Sequence, residues 1–293
     1  MIQSQDALPP LFCFGYGFSA QAAARLWLDA GGHVIGTTRD PSKLKQMRAE
    51  NIEPFLFDAV PDESLLSAGA ILSSVAPTEA GDDPVLHRYA PVLEKSAARW
   101  IGYLSTTGVY GEANGGWIDE TAPLAPTTDR GIRRVQAEAA WLKLYEDHGL
   151  PVHLFRLSGI YGPGRSALET VLSGRAQRVN KPGQVFNRIH VEDIAATLWA
   201  SWQKPNPGAA YNLADDEPAP PQEVIAYACD LAGVPVPPLV PFDEAQLSPM
   251  ARSFYAENKR LKNNKIKAEL GVSLHYPTYR EGLLAEWQTR AER

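Results

Sequence analysis

Short apolar runs bounded by turn residues alternate with helical stretches over the first half of the chain. Continuous apolar runs of this kind are typical of strands that are buried on both faces of a parallel sheet. The predicted strands are Leu11–Phe14, His33–Thr38, Phe55–Phe57, Ala70–Val75, Trp100–Ser105 and Val152–Leu157, and the predicted helices are Ala20–Ala30, Pro41–Glu50, Pro84–Ala98 and Arg130–His148. This alternation predicts an α/β fold with a doubly wound parallel sheet.

The pattern of the sequence changes beyond Ile160, where proline clusters separate short helical segments. These clusters lie at Pro205–Pro207, Pro218–Pro221 and Pro235–Pro241. Prolines spaced in this way indicate turns between packed elements. We therefore predict two domains: a sheet domain over residues 1–160, to which residues 188–204 return, and a smaller, loop-rich lobe over residues 161–293 that binds substrate.

A glycine-rich turn follows the first predicted strand. Gly15, Gly17 and Ala20 have the G-x-G-x-x-A spacing, directly after Leu11–Phe14 and before an alanine-rich helix. In this pattern the first glycine makes a tight turn, the second lets backbone N–H groups approach a pyrophosphate, and the small third residue lets the helix pack closely. We predict a Rossmann-type dinucleotide site; the alternative is a tight turn without a ligand. The predicted cofactor contacts of this turn are Gly15, Tyr16, Gly17, Phe18, Ser19 and Ala20.

The second predicted strand ends in Arg39. Dinucleotide sites that bind NAD carry an acid near this point for the ribose 2′-hydroxyl, whereas an arginine accommodates a 2′-phosphate. Arg39 therefore predicts NADP(H) as the cofactor. The alternative is a solvated arginine at the end of a strand.

Composition narrows the class of protein. The net charge of −6 argues against nucleic acid as the main partner, because such a partner favours a basic surface. The two cysteines, Cys13 and Cys229, lie far apart and have no metal-ligand spacing. No apolar run approaches the length of a membrane span, and Met1–Asp6 lacks the basic and apolar regions of a leader peptide. We expect a cytoplasmic protein whose partner is a small-molecule substrate, with no nucleic acid, membrane or metal.

Later segments of the chain match one family pattern in the right order. Together they resemble the extended short-chain dehydrogenases/reductases, and more narrowly an atypical bacterial branch of NAD(P)-dependent epimerase/dehydratase-like proteins. The resemblance covers nearly the whole chain. The matching segments are Tyr103–Gly111, Arg156–Arg165, Arg188–Ala195, Tyr211–Pro218, Asn258–Arg260 and Lys267–Gly271.

The resemblance implies roles for several positions at strand ends. Asp58 would contact the adenine, and Ser74, Val75 and Ala76 would line the cofactor cleft. Thr106 matches the Ser/Thr that hydrogen-bonds a substrate oxygen. The chemistry agrees for two of these residues, because an aspartate can accept from an exocyclic amine and a threonine at a strand end faces the ligand crevice. The alternatives are a turn or cap role for Asp58 and a hydroxyl bonded to backbone for Thr106.

The tyrosine–lysine pair of this family has no match in the chain. Aligned on Ala137 and Glu138, Arg130 stands in the tyrosine position and Arg134 in the lysine position. An arginine stays protonated at any working pH, so Arg130 cannot exchange a proton with substrate. Arg134 can still donate to the nicotinamide-ribose hydroxyls, as the lysine does. The usual proton relay is therefore missing, while the cofactor contacts are retained.

Two hypotheses follow. In the first, the protein is an NADP(H)-dependent oxidoreductase, epimerase or dehydratase that acts on a small carbonyl, sugar or nucleotide-sugar substrate with a relocated acid. Tyr161, His190 and Tyr110 are the candidate acids, and His190 is also a candidate substrate contact. Arg130 and Arg165 would bind an anionic substrate, and Arg130 would stabilise developing negative charge. The alternative roles are packing for the tyrosines, a place beside a helix start for His190, and a solvated helix start for Arg130.

In the second hypothesis, the protein is a catalytically silent NADP(H) sensor, which must bind the oxidised and reduced cofactors differently. The long C-terminal lobe favours the enzyme, because a lobe that forms a substrate cleft is unnecessary for nucleotide binding alone.

The helix predicted over Arg130–His148 has more apolar surface than one sheet covers, which predicts a homodimer. Burial of that surface by the protein's own lobe is the alternative.

Overall fold

The computed structural model describes residues 8–292. The Met1–Asp6 segment, used above against a leader peptide, lies outside the described residues. Seven of the strands form one sheet in the order β11-β7-β5-β4-β1-β2-β3, and the pairs β1–β2, β1–β4, β2–β3 and β4–β5 are parallel. The strands are β1 Leu11–Phe14, β2 Val34–Thr38, β3 Glu53–Leu56, β4 Ala70–Ser73, β5 Trp100–Thr106, β6 Trp117–Ile118, β7 Val152–Leu157, β8 Gly159–Tyr161, β9 Arg178–Asn180, β10 Arg188–His190, β11 Ala210–Leu213, β12 Leu239–Pro241 and β13 Arg260–Leu261. The predicted fold class is confirmed.

The helices include counterparts of all four that the sequence predicts. They are α1 Phe18–Asp29, α2 Leu44–Ala49, α3 Asp62–Leu66, α4 Pro84–Leu93, α5 Asp129–His148, α6 Ala167–Leu172, α7 Val191–Gln203, α8 Pro221–Ala232, α9 Pro249–Ser253 and α10 Tyr279–Ala291. The α4 helix is shorter than predicted. Pro91 has no N–H to donate inside α4, and the helix ends soon after it, at Leu93. Within residues 8–292, no helix is both long and apolar enough to cross a membrane.

The chain divides into two compact units. The first unit comprises Met1–Thr106, Arg133–Arg156 and Ile194–Ala210, and the second comprises Thr107–Ile132, Leu157–Asp193 and Tyr211–Arg293. Residues 107–132 fall in the second unit, whereas the sequence-based division placed them with the sheet domain. Within the second unit, the Lys259 ammonium donates to the carbonyl of Gly111 (2.7 Å). This bond ties the start of that segment to the C-terminal part of the chain.

The core of the first unit is built on the face of the sheet that α4 and α5 cover. Trp141 of α5 is fully buried and stacks on Tyr103 of β5, with 5.5 Å between the ring centroids. The indole N–H donates to the Asp83 carboxylate (2.9 Å), which also accepts from the first N–H groups of α4. Asp83 therefore caps α4 and satisfies the buried indole at once.

Two apolar side chains of α5, Ile132 and Tyr145, are exposed. Pairing of two copies of the chain through α5 stays a prediction.

Candidate functional site

The glycine turn after β1 is held from both sides by hydroxyl side chains. The N–H of Gly15 donates to Thr37 Oγ1 (2.8 Å), and Ser74 Oγ donates to the carbonyls of Phe14 and Gly15. Gly15 has a φ of +77°, and an added Cβ would lie 3.0 Å from Ser74 Oγ and 3.1 Å from Val75 Cγ2. A side chain at Gly15 would therefore be strained and crowded, which explains the glycine.

The turn leaves room where a pyrophosphate would bind. A Cβ added at Gly17 would meet only the Gly15 carbonyl oxygen, 4.0 Å away, so the space over Gly17 is open. Gly17 is the N-cap of α1, and no side chain caps that helix. Ala20 is fully buried, so this small residue lets α1 lie close to the sheet. An open helix N-terminus of this kind suits an anion, and the residues present therefore fit a dinucleotide.

The end of β2 carries an exposed cation. Arg39 makes no hydrogen bond or ion pair with any residue that the structure describes, and its side chain faces solvent. The neighbouring acid is already engaged, because the Asp40 carboxylate accepts from the N–H of Ser42 (3.0 Å) and from its hydroxyl (2.7 Å). These bonds lower the pKa of Asp40. The Asp40 carboxylate therefore caps the turn that follows it and does not pair with Arg39.

The other predicted cofactor contacts follow β3 and β4. Asp58 is exposed in the turn Phe57–Ala59, and its Oδ1 lies 3.8 Å from Arg88 Nε. Ser74 and Val75 are half-buried directly after β4, and Ala76 is exposed. In the sheet order, the chain runs from β1 to β2 and β3 on one side and to β4 and β5 on the other. The residues thus follow strands on both sides of the topological switch point, where open α/β sheets bind ligands.

At the end of β5, the structure places two of the predicted catalytic residues in the first unit. Thr106 is the last residue of β5 and is half-buried. The Arg134 guanidinium donates to the Leu104 carbonyl (2.7 Å) and to the Tyr103 hydroxyl (3.0 Å). Arg134 is therefore fixed against the strand that ends in Thr106.

A buried ion pair lies behind these residues, and the sequence analysis missed it. Arg156 of β7 donates from Nη2 (2.7 Å) and Nε (3.1 Å) to the carboxylate of Glu138, and the Ser105 hydroxyl donates to the same carboxylate (2.5 Å). All three residues are buried. Arg156 begins one of the family-matching segments and Glu138 is an alignment point for α5, but nothing in their spacing shows that α5 would bring Glu138 onto β7.

The predicted substrate-binding arginines lie in the second unit. The Arg130 guanidinium donates to Ser253 Oγ (3.0 Å) and stacks on the Phe254 ring, with Cζ 4.8 Å from its centroid. Arg165 is exposed, and its backbone bonds with that of Gly162 in a tight turn. The side chain of Arg130 is accessible and positively charged, whereas its place at the start of α5 is one where cations are disfavoured.

The two candidate tyrosines of the second unit are buried. The Tyr110 hydroxyl donates to Asn212 Oδ1 (2.7 Å), and the Tyr161 hydroxyl donates to the Thr278 carbonyl (3.3 Å). Tyr161 packs against Gly282, where an added Cβ would lie 2.2 Å from its hydroxyl. Burial, with Asp215 nearby, raises the pKa of Tyr161 well above its usual range. In this structure its hydroxyl therefore keeps its proton at neutral pH.

His190 is also buried, at the end of β10. Its Nδ1 accepts from the N–H of Glu192 (3.2 Å), and its Nε2 lies 3.9 Å from Glu286 Oε1. Burial lowers the pKa of His190 to about 4, so the imidazole is neutral at pH 7. Because Nδ1 is an acceptor, the single proton belongs on Nε2, facing Glu286.

Glu286 is expected to make the stability of the protein depend on pH. Burial raises its pKa from 4.5 to about 7. A carboxyl whose pKa is raised by folding favours the folded state most at low pH, and that advantage is lost as the pH rises from 4.5 through 7. We expect Glu286→Gln to raise the melting temperature at pH 8 by a few degrees and to change it less at pH 5. Thermal unfolding followed by circular dichroism measures both, and the exposed Glu244→Gln is the control. An equal effect of Glu286→Gln at the two pH values would contradict this account.

Residues 86–214 match the model of the NAD dependent epimerase/dehydratase family. This part of the chain resembles that family. The family resemblance predicted from the sequence is therefore confirmed, whereas the replacement of the tyrosine–lysine pair by Arg130 and Arg134 stays a prediction. The chain is also similar to Protein YeeZ of Escherichia coli strain K12, at 26% identity over 229 residues, or 73% of this chain and 79% of that one.

Solved structures are similar to this chain in fold. A conserved protein of unknown function from Silicibacter pomeroyi DSS is 50% identical, with a TM-score of 0.90, and the match covers 98% of this chain and 100% of that chain. A dTDP-glucose 4,6-dehydratase from Bacillus anthracis, solved with NAD, has a TM-score of 0.76 at 19% identity, over 98% of this chain and 97% of that one. The likeness to the dehydratase shows the shared Rossmann fold.

Proposed function

We propose that this protein is a member of the epimerase/dehydratase family that binds NADP(H) at the glycine turn and acts as an oxidoreductase, epimerase or dehydratase. Its substrate would be a small carbonyl compound, a sugar or a nucleotide sugar. The observation that carries the proposal is Arg39, an exposed cation that has no partner among the described residues and directly follows β2, the strand beside the one that leads into the glycine turn.

The surroundings of Arg39 support a 2′-phosphate over a free ribose. Recognition of the ribose 2′-hydroxyl uses a carboxylate at this strand end. Here the Asp40 carboxylate is engaged by Ser42 instead. A guanidinium with unused donors can bind a phosphate in bidentate geometry.

Other residues of the first unit would hold the rest of the cofactor, which supplies hydride chemistry when bound. The N–H groups at the start of α1 would bind the pyrophosphate, and Asp58 would accept from the adenine amine. Arg134, already anchored on the Leu104 carbonyl, has further N–H groups for ribose hydroxyls. Thr106 would hydrogen-bond a substrate oxygen. Arg130 and Arg165, which belong to the second unit, would attract an anionic substrate. Because arginine holds its proton, these contributions are electrostatic.

The cofactor preference tests the proposal. We expect Arg39→Asp to weaken NADPH binding roughly 10- to 100-fold, since a hydrogen-bonded charge contributes about 1.5–3 kcal/mol. NADH binding would be unchanged or improved. Calorimetric titration of wild type and variant with NADPH, NADP⁺ and NADH measures this. Arg48→Asp makes the same charge change at an exposed position in the last turn of α2 and is the control. A variant that kept its preference for NADPH would overturn the proposed role of Arg39.

A catalytically silent NADP(H) sensor is the second candidate function. It is favoured by the burial of Tyr110, Tyr161 and His190, which are 4%, 6% and 2% exposed. Buried groups whose polar atoms already bond within the protein are poorly placed to exchange protons with a substrate. The same titrations separate the candidates. Similar affinities for NADPH and NADP⁺ argue for the enzyme, and a large difference between them argues for the sensor.

A further inference from the structure

Two neighbouring side chains of α4 hold the turn that carries Asp58. The Arg88 guanidinium donates from Nη2 to the carbonyl of Asp58 itself, and the Tyr89 hydroxyl donates to the carbonyl of Phe57. Arg88 Nε also donates to the Tyr89 hydroxyl (3.2 Å). The turn after β3 is therefore tied to α4 through two successive carbonyls.

The two tethers differ in character. Tyr89 is 4% exposed, and its ring packs on Phe57 and Phe14 at centroid distances of 5.7 and 5.2 Å. Tyr89 is thus part of the core and fixes where the turn lies. The Arg88 side chain is 46% exposed, so burial of apolar surface does not explain its placement. Ordering a long exposed side chain costs conformational entropy.

Arg88 also lies beside the Asp58 carboxylate. Arg88 Nε lies 3.8 Å from Asp58 Oδ1, while the Asp58 side chain is 77% exposed. Oδ1 therefore faces the guanidinium charge, and the exposed carboxylate is accessible to a ligand. A guanidinium can contact a carbonyl and a carboxylate together because its donors form a rigid planar fork, which an ammonium lacks.

We propose that Arg88 is a positioning residue for adenine recognition: it orients Asp58 so that the carboxylate accepts a hydrogen bond from the exocyclic amine of adenine. This inference rests on the proposed binding of NADP(H). It assigns to Arg88 a selectivity for the base, separate from the phosphate selectivity of Arg39. A base that carries a carbonyl in place of the amine would present an acceptor to the carboxylate and would be rejected.

Deamino-NADPH, in which hypoxanthine replaces adenine, is the probe. Wild type is expected to bind NADPH more tightly than deamino-NADPH. We expect Arg88→Ala to weaken NADPH binding about tenfold and to leave deamino-NADPH nearly unchanged, so that the preference collapses. Asp58→Asn should have the same effect, and the double variant should add little to either change because the residues act as one unit.

Further variants separate positioning from structure. Arg88→Met keeps the apolar stem and should behave as Arg88→Ala, and Arg88→Lys should recover only part of the preference. Arg175→Ala removes an exposed arginine of the second unit that bonds locally to Ser173, and should change neither affinity. An unchanged preference in Arg88→Ala, or an equal loss for both cofactors, would overturn the inference alone. A wild type that binds no NADPH would overturn the proposed function and this inference with it.

Discussion

Replacing Glu138 with glutamine is expected to lower the free energy of unfolding by about 3–5 kcal/mol. The change leaves the Arg156 guanidinium buried without its counter-charge, since Glu138 is 2% and Arg156 5% exposed. It also weakens the acceptor of the Ser105 hydroxyl. Urea denaturation followed by tryptophan fluorescence measures the loss as a lower midpoint.

The same helix provides a matched control. Glu146 is exposed on α5, and Glu146→Gln is expected to change the free energy of unfolding by less than about 0.5 kcal/mol. Similar midpoints for the two variants would show that the buried pair contributes little. Glu138 lies one helical turn after Arg134, and Ser105 directly precedes Thr106. Loss of the pair is therefore expected to disturb the cofactor and substrate contacts at the end of β5 as well.

Replacing Gly111 with alanine is expected to destabilise the second unit by more than about 2 kcal/mol. Gly111 has a φ of +75°, and an added Cβ would lie 1.9 Å from the backbone carbonyl oxygen of Ala125. The backbone must move to make room, and that movement also strains the bond from Lys259 to the Gly111 carbonyl. Thermal unfolding followed by circular dichroism detects the loss.

A second glycine separates the clash from the backbone conformation. Gly164 has a φ of +79°, but no atom lies within 4 Å of an added Cβ. Gly164→Ala should therefore cost only the left-handed conformation of the alanine, about 1–2 kcal/mol. If Gly111→Ala were no more destabilising than Gly164→Ala, the crowding at Ala125 would be unimportant for stability.

The strands of the sheet could be predicted because each is a short apolar run between turn residues. The predicted strand Leu11–Phe14 matches β1 residue for residue, and Val152–Leu157 matches β7 in the same way. Two-residue and three-residue strands, such as β6 and β13, could not be predicted. Their few residues carry no periodic signal, and they form because distant segments are brought together by folding.

The residues of the candidate site also differ in whether the sequence could predict them. The glycine turn and Arg39 are local patterns, so the sequence could point to them. The burial of Tyr161 and His190 depends on α10, which lies far along the chain and contributes Gly282 and Glu286 to their surroundings. The hydrogen bond from Arg88 of α4 to the Asp58 carbonyl likewise joins elements whose contact no spacing rule predicts. Contacts between distant segments therefore could not be predicted from the sequence.

Thr37 and Ser74 hold the glycine turn in shape through bonds within the protein itself. The turn is consequently part of what the chain needs in order to fold, in addition to what a nucleotide needs in order to bind. Selection for a stable fold would therefore preserve Gly15 even in a descendant that no longer converted any substrate. A loss of catalysis in such a descendant would not require the loss of this turn.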